Sequence, residues 1–428
     1  MAIYEQYPVI SKDQIVNLDF ENEIYPYKKY SELRTKGPLI KIESGGWIAT
    51  SYDFVNSMFR DKRFHTLKID TMATQTLLQN KNSLVKTVAT PPLKFMIKRD
   101  RQVKITNSWL NFTDPPVHTR LRKLAQTAFT PKAIKTLLPR MKEITFQLLD
   151  QVEQKSEFDL VEDFSLPLPI TMIAEILGVS GADQEKFKKW SKNLLEGFSF
   201  GEMTKEKRKQ TIQTIDEMTD YLINEINNRE SSPKEDVISY FVTAKEDNDS
   251  MTQEEVISNI VLLLIAGHET TVNLITNTIY ALLSNYDQFE LLLSDKSLLN
   301  NTIEEGLRFD PPAPGIPRVA SQDIDFNGYL IKKGDQIDLS IYSANRDPEM
   351  FPNPDIFDIT RENSKNHLAF GQGIHYCLGA PLARAEAEIA FSEIIDRFPN
   401  LKLKPSFKPR RNKFFGLNSF EKMLLIKR

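Results

Sequence analysis

Cys377 is the one cysteine in 428 residues, and it stands in the run Phe370-Gly371-Gln372-Gly373-Ile374-His375-Tyr376-Cys377-Leu378-Gly379. A lone cysteine is ordinarily a small buried hydrophobe. Here the surrounding glycines permit tight backbone turns and close approach to a flat ligand. The sequence from Leu378 onward (LGAPLARAEAEIAFSEIIDRF) reads as a helix. Cys377 therefore falls at or just before a helix N-terminus, where the dipole and free amides stabilise a thiolate. Such a thiolate is a metal ligand or a nucleophile. The only histidines are at 65, 118, 268, 367 and 375, so multi-cysteine zinc and iron–sulfur sites are excluded. A metal held through protein sulfur would hang on one axial bond. As a nucleophile, Cys377 would need a base, and His375, two residues away in an extended loop, points off the opposite side. The run is not a dinucleotide loop, because Tyr376 stands where the third glycine would be.

A second chemical cluster is Ala266-Gly267-His268-Glu269-Thr270-Thr271, set in an apolar stretch. A glycine beside a glutamate and two threonines is inconsistent with a simple core helix, and such breaks concentrate at functional sites. The ordinary alternative is a kinked helix with a threonine bonding back to a carbonyl. Glu305-x-x-Arg308 and His118-x-x-x-Arg122 have helical spacing, which alone describes countless surface pairs.

The elements that must position these groups are mostly helical. The longest candidate runs from 252 to 284, about 50 Å at ~1.5 Å per residue. Thr252 and Glu255 form a capping box at its start. Its middle is apolar nearly all round, so it should pass through the core. Short strands are expected around the turn at 44–46, around Asn327-Gly328, and at 336–340 after Lys333-Gly334-Asp335. The fold class is therefore mostly α with small β-sheets. No repeat, linker or low-complexity block appears, and one domain over 1–428 is expected.

Composition sets the outer limits. Apolar residues are 40% and charged residues 26%, enough for a buried core. A net charge of −3 provides no basic field for nucleic acid. The longest apolar run, 260–266, is far short of the ~18 residues a membrane span needs. Residues 1–11 lack the basic and apolar regions of a secretory leader. A soluble cytoplasmic protein is expected, as a monomer.

The pattern Phe370-x-x-Gly373-x-His375-x-Cys377-x-Gly379 resembles the heme-binding loop of the cytochrome P450 superfamily, and the likeness extends across essentially the whole chain. The soluble bacterial members that oxidise macrolides and fatty acids are nearest in feel. The resemblance implies heme b (iron protoporphyrin IX) with Cys377 as the axial thiolate. It places Phe370, Gly371, His375 and Gly379 in the cofactor loop, and Ala266 and Gly267 where O2 lies against the long helix. Glu269 and Thr270 become an acid–alcohol pair that delivers protons. His118, Arg122, Arg318 and His375 would meet the heme propionates, four donors against two carboxylates. Glu305 and Arg308 would form a buried structural pair, with Arg346 as the third member.

The implied function is a heme-thiolate monooxygenase that inserts one oxygen atom of O2 into a largely hydrophobic substrate. Oxidative C–C cleavage, epoxidation and aryl coupling, reactions of secondary metabolism, are the alternative outcomes. A thiol enzyme and a heme sensor are the rivals from other classes, and the intact acid–alcohol pair argues against the sensor. No flavin or nicotinamide motif is present, so a ferredoxin or flavodoxin with its reductase should bring electrons, docking through Arg120 and Lys123. Substrate contacts are expected from Leu263, Ala313, Ile316, Phe415 and Leu417. Between 75 and 104 stand Lys81, Lys86, Lys94, Lys98, Arg99, Arg101 and Lys104 against one acid, Asp100. That segment is either a solvated loop or a recognition surface for an anionic or carrier-protein-tethered substrate.

Overall fold

In the computed structural model the described residues are 7–11, 27–43, 45–67, 105, 108–198, 204–245, 249–414 and 417–427. The chain forms two compact units, the first from residues 1–64, 134–172 and 267–428, the second from 65–133 and 173–266. Helices dominate and the sheets are small, as the sequence leads one to expect.

The main sheet of the first unit runs in the order Val9–Ile10, Leu39–Ile42, Trp47–Ala49, Gln336–Ser340, Gly315–Ala320. Alternation along these strands decides which side chains go where. Leu39, Trp47, Ala49, Ile337 and Leu339 turn to one face, against Val55, Met58 and Phe59 of the helix Tyr52–Arg60. Ile40 and Ile48 turn to the other, against Tyr27, Tyr30 and Leu33 of the helix Tyr27–Lys36. A one-residue slip would send both sets to the wrong side. The hairpin Ile324–Phe326/Tyr329–Ile331 closes through Asn327 and Gly328, both left-handed at φ 52° and 87°, as a two-residue hairpin of this hand requires.

Near the C-terminus, Arg411–Phe414 pairs antiparallel with Leu417–Phe420. The base of this hairpin is pinned. Arg411 forms a buried ion pair with Asp310 and donates to Asn277 Oδ1 at 3.3 Å. Its guanidinium lies 4.1 Å over the Phe420 ring, which packs on Tyr280 at 4.9 Å.

In the second unit the helices Gln184–Phe198 and Val237–Thr243 both pack on Lys205–Ser231, which carries buried Arg229. Arg229 donates to Asp236 at 2.8 Å, Glu225 at 2.6 Å and the Gly178 carbonyl at 3.0 Å. Gly178 has φ +70°, and a Cβ there would lie 2.2 Å from Asp236 Oδ2. Only glycine fits that position.

The long helix Gln253–Ser284 opens on the expected capping box: Thr252 N donates to Glu255 Oε2 at 2.9 Å, and Glu255 N to Thr252 Oγ1 at 3.2 Å. Its length and apolarity would suit a membrane span, and its burial is that of a core helix.

Candidate functional site

The cysteine loop is built as its glycines demand. The helix Ala380–Arg397 starts just after Gly379, with Pro381 in the first turn, where its missing N–H leaves no bond unmade. The Cys377 amide donates to the Phe370 carbonyl at 2.9 Å and closes the loop. Gly373, at φ +70°, presses onto the backbone of Phe59, and a Cβ there would stand 2.7 Å from the Phe59 carbonyl oxygen. Arg60 donates to Gln372 at 3.1 Å, and buried Arg318 lies over the Phe59 ring at 5.7 Å. Arg318 and the loop bearing His375 and Cys377 are thus gathered around one residue, Phe59, which the sequence did not single out. Phe370, His375, Cys377 and Leu378 stay only half-buried beside a packed core.

The long helix shows a complementary feature. From 256 to 283 every residue is buried except Leu262, Leu263, Ala266, Gly267 and Thr270. Those positions recur at three- and four-residue intervals and therefore form one stripe along one side of the helix. Glu269 lies just off the stripe and is 8% exposed; Ser419, on the C-terminal hairpin, donates a hydrogen bond to its Oε1. Burial raises the Glu269 carboxyl above the usual range, and the Ser419 hydroxyl offsets part of that rise. Thr271 bonds back to the helix, at 3.0 Å from the Gly267 carbonyl. His268 is buried and held neutral, its pKa lowered to about 4 by burial, which a backbone bond with Leu166 only partly opposes.

A brace of charges stands behind the loop. Glu305 and Arg308 are fully buried in the helix Leu299–Phe309 and paired at 2.7 Å. The third group on Glu305 is Arg361, at 3.2 Å. Arg346, expected in that place, instead donates to the Phe309 carbonyl at 2.7 Å and to Asp355 at 2.9 Å. Glu304, the next residue, holds Arg384 at 2.6 Å and His367 at 3.2 Å. Arg384 comes from the helix that follows Cys377, so this network ties the loop's own helix to its neighbour.

The other expected positions are distributed as follows. Ala313 and Ile316 are half-buried, with Ile316 against the sheet core, and Leu417 is half-buried in the hairpin. Phe415 and the basic segment 75–104 lie outside the described residues. In the second unit, His118 and Arg122 share the helix Val117–Gln126, with His118 2% exposed. Arg120, expected to face a partner, is engaged by Glu255 and, at 3.5 Å, by Asp249.

The donor set fits a heme. Among the described residues no three His, Cys, Asp or Glu side chains converge to hold a metal. A porphyrin supplies four of its iron's ligands itself and asks one of the protein, which is what the Cys377 loop offers. The Cytochrome P450 family profile matches residues 52–294 and 291–419. The chain belongs to the cytochrome P450 family. It is thereby an oxidoreductase of the oxygen-incorporating, heme-dependent kind. This P450 is 39% identical over 384 residues to cytochrome P450 CYP107DY1 of Priestia megaterium, covering 88% of this chain and 89% of that one. It is 36% identical over 401 residues to the biotin biosynthesis cytochrome P450 of Bacillus subtilis strain 168, covering 93% and 95%. Among solved structures, P450BioI in complex with an acyl carrier protein ligated to hexadec-9Z-enoic acid superposes with a TM-score of 0.81 at 34% identity, covering 94% of this chain and 98% of that one.

Three functional contacts went unread in the sequence: Ser419 on Glu269, Arg361 on Glu305, and the Glu304–Arg384–His367 group. Each joins residues more than fifty positions apart.

Proposed function

We propose that this P450 hydroxylates a largely hydrophobic, acid-terminated substrate, and that Cys377 would hold heme b through its thiolate. The observation that carries the reading is the open stripe Leu262, Leu263, Ala266, Gly267 and Thr270 on a helix buried everywhere else between 256 and 283. Bound heme supplies O2 activation and the oxidising power for the hydroxylation. The protein seats the substrate, keeps the site dry and delivers protons. Gly267 has no side chain and leaves room against the helix for a small diatomic ligand. Leu263 and Ala266 present apolar surface that excludes water and favours an apolar chain. Glu269, its pKa raised by burial, keeps a proton more readily than a surface carboxyl does. The Thr270 hydroxyl, on the open stripe one residue on, both accepts and donates a proton. Acid and alcohol together are a relay from the protein interior to the stripe. His118, Arg122, Arg318 and His375 would be the donors for the two heme propionates, and the Gly371–Gly379 loop would hold the thiolate.

Electrons would come from a separate ferredoxin or flavodoxin with its reductase, as the resemblance to soluble bacterial P450s implies. The reduced, carbon monoxide-bound protein should show the Soret band that gives the family its number, and Cys377→Ser should lose it. A thiolate-free spectrum in the parent protein overturns the reading.

The substrate class is supported by the basic run at 75–104 and by the relatives, one named for biotin biosynthesis and one seen with an acyl carrier protein. Neutralising Lys98, Arg99 and Arg101 together should weaken binding of a fatty acid, or of its acyl carrier protein ester, more than that of the methyl ester. Equal losses across the three overturn this part alone.

A further inference from the structure

Ser419 and Glu269 are 150 residues apart in sequence and joined by a hydrogen bond within the first unit. Both are buried, at 6% and 8% exposed. Ser419 is not free to wander, because the next residue, Phe420, is clamped between Arg411 and Tyr280, and Arg411 is locked to Asp310 and Asn277. On its other side, two residues back along the same strand, Leu417 is the first residue, paired with Phe414 at the far end of the hairpin. The hairpin is therefore a lever with a fixed base, a serine on the proton-bearing carboxyl, and a half-buried leucine at the tip.

We propose that Ser419 is a positioning residue that holds the Glu269 carboxyl in its resting orientation, so that the C-terminal hairpin sets when this acid can serve Thr270. The inference rests on the reading of Glu269 as proton donor. A serine hydroxyl suits this role, because it donates one bond to the carboxyl and releases it without leaving a charge behind. An arginine or lysine there would hold the acid ionised. Among the described residues no charged group acts on Glu269; burial and the Ser419 hydroxyl are the two influences on its proton. His268, its neighbour in sequence, is neutral near physiological pH. Ligand contact at Leu417 reaches Ser419 through two residues of one strand, and so couples substrate occupancy to the acid.

The test uses the ferric holoprotein at rest, without turnover. Infrared difference spectra are taken across pH for the parent, Glu269→Gln, Ser419→Ala, Ser419→Cys and Ser419→Thr. The carboxyl band missing in Glu269→Gln belongs to Glu269. In Ser419→Ala and Ser419→Cys, which lose a good donor, that band should titrate at higher pH than in the parent. Ser419→Thr, which keeps the hydroxyl, should restore it. In turnover, the pH profile of product against peroxide should move the same way in the same variants. A band titrating at the parent's pH in both Ser419→Ala and Ser419→Cys overturns the inference. A product-to-peroxide ratio unchanged in Glu269→Gln instead overturns the reading of Glu269 itself, whatever the infrared titration gives.

Discussion

Arg308 and Glu305 face each other within one helical turn, with no exposed surface on either side chain and bonds of 2.7 and 2.8 Å. The remaining donors of Arg308 reach the carbonyls of Asn345 at 3.0 Å, Pro354 at 2.9 Å and Ile356 at 3.2 Å. One guanidinium thus ties a helix to three separate points of the irregular chain that leads to the cysteine loop. Removing one partner of a buried pair leaves an uncompensated charge and costs about 3–5 kcal/mol. Arg308→Ala should lower the denaturant midpoint by that order and reduce bound heme per chain. Arg308→Lys should rescue little, because one ammonium cannot reproduce a planar fork. Full heme content with an unchanged midpoint would show that the brace is dispensable.

Two groups should each withdraw a contribution to stability as the pH falls, in separate windows. His268 has its pKa lowered to about 4 from 6.5, chiefly by burial. The unfolded chain therefore binds a proton there before the folded one does, and the contribution of His268 to stability falls as pH drops from 6.5 toward 4. For Glu304 burial acts upward, but the bonds from Arg384 and His367 outweigh it and hold the carboxyl at about 2 against the usual 4.5. A depressed carboxyl stabilises above 4.5, and that contribution is lost as pH falls from 4.5 toward 2. Each window is worth roughly 3 kcal/mol at 1.36 kcal/mol per pH unit. His268→Gln should remove its contribution in the upper window and Glu304→Gln its contribution in the lower one, as read from the difference between parent and variant urea midpoints at a series of pH values. Parallel curves for parent and variant in either window would refute that assignment.

The second unit has a lock of its own at Gly178. Alanine there would need a left-handed backbone and a methyl 2.2 Å from Asp236 Oδ2. Asp236 cannot yield without releasing Arg229, whose side chain is 2% exposed. Strain and the loosened buried pair together should cost about 3 kcal/mol or more. Gly178→Ala should therefore unfold well below the parent in urea. Gly181→Ala, three residues on with open space around its would-be Cβ, should not.

How much of this was legible beforehand follows from range. Cys377, its glycines and the helix behind it lie within a few residues of one another, and local chemistry was enough to mark them. The capping box at Thr252 and Glu255 and the turn at Asn327-Gly328 were readable for the same reason. The third partner of Glu305 was not. Arg346 and Arg361 lie in the same irregular stretch, and only the path of the chain puts Arg361 on the carboxylate and sends Arg346 to Phe309 and Asp355. Ser419 was invisible for a stronger reason, since a single serine in a short strand carries no pattern at all.

The open stripe on the long helix can be tested against its own buried neighbours. Ala266 is exposed on the stripe, whereas Ala281, further along the same helix, is 1% exposed. Adding a phenyl ring at each position asks what the ring meets. At Ala281 it meets packed side chains, and overpacking of this kind costs about 1–3 kcal/mol, occasionally more. At Ala266 it enters the space the stripe leaves for ligand. Ala281→Phe should therefore lower the urea midpoint while the substrate-induced spectral shift of the surviving folded protein is retained. Ala266→Phe should leave the midpoint close to the parent's and abolish or weaken the spectral shift. The two variants have the same chemistry on the same helix, so differences in helix propensity cancel. If Ala266→Phe costs as much stability as Ala281→Phe, the stripe is closed by protein, and the ligand-binding face of this helix must be sought elsewhere.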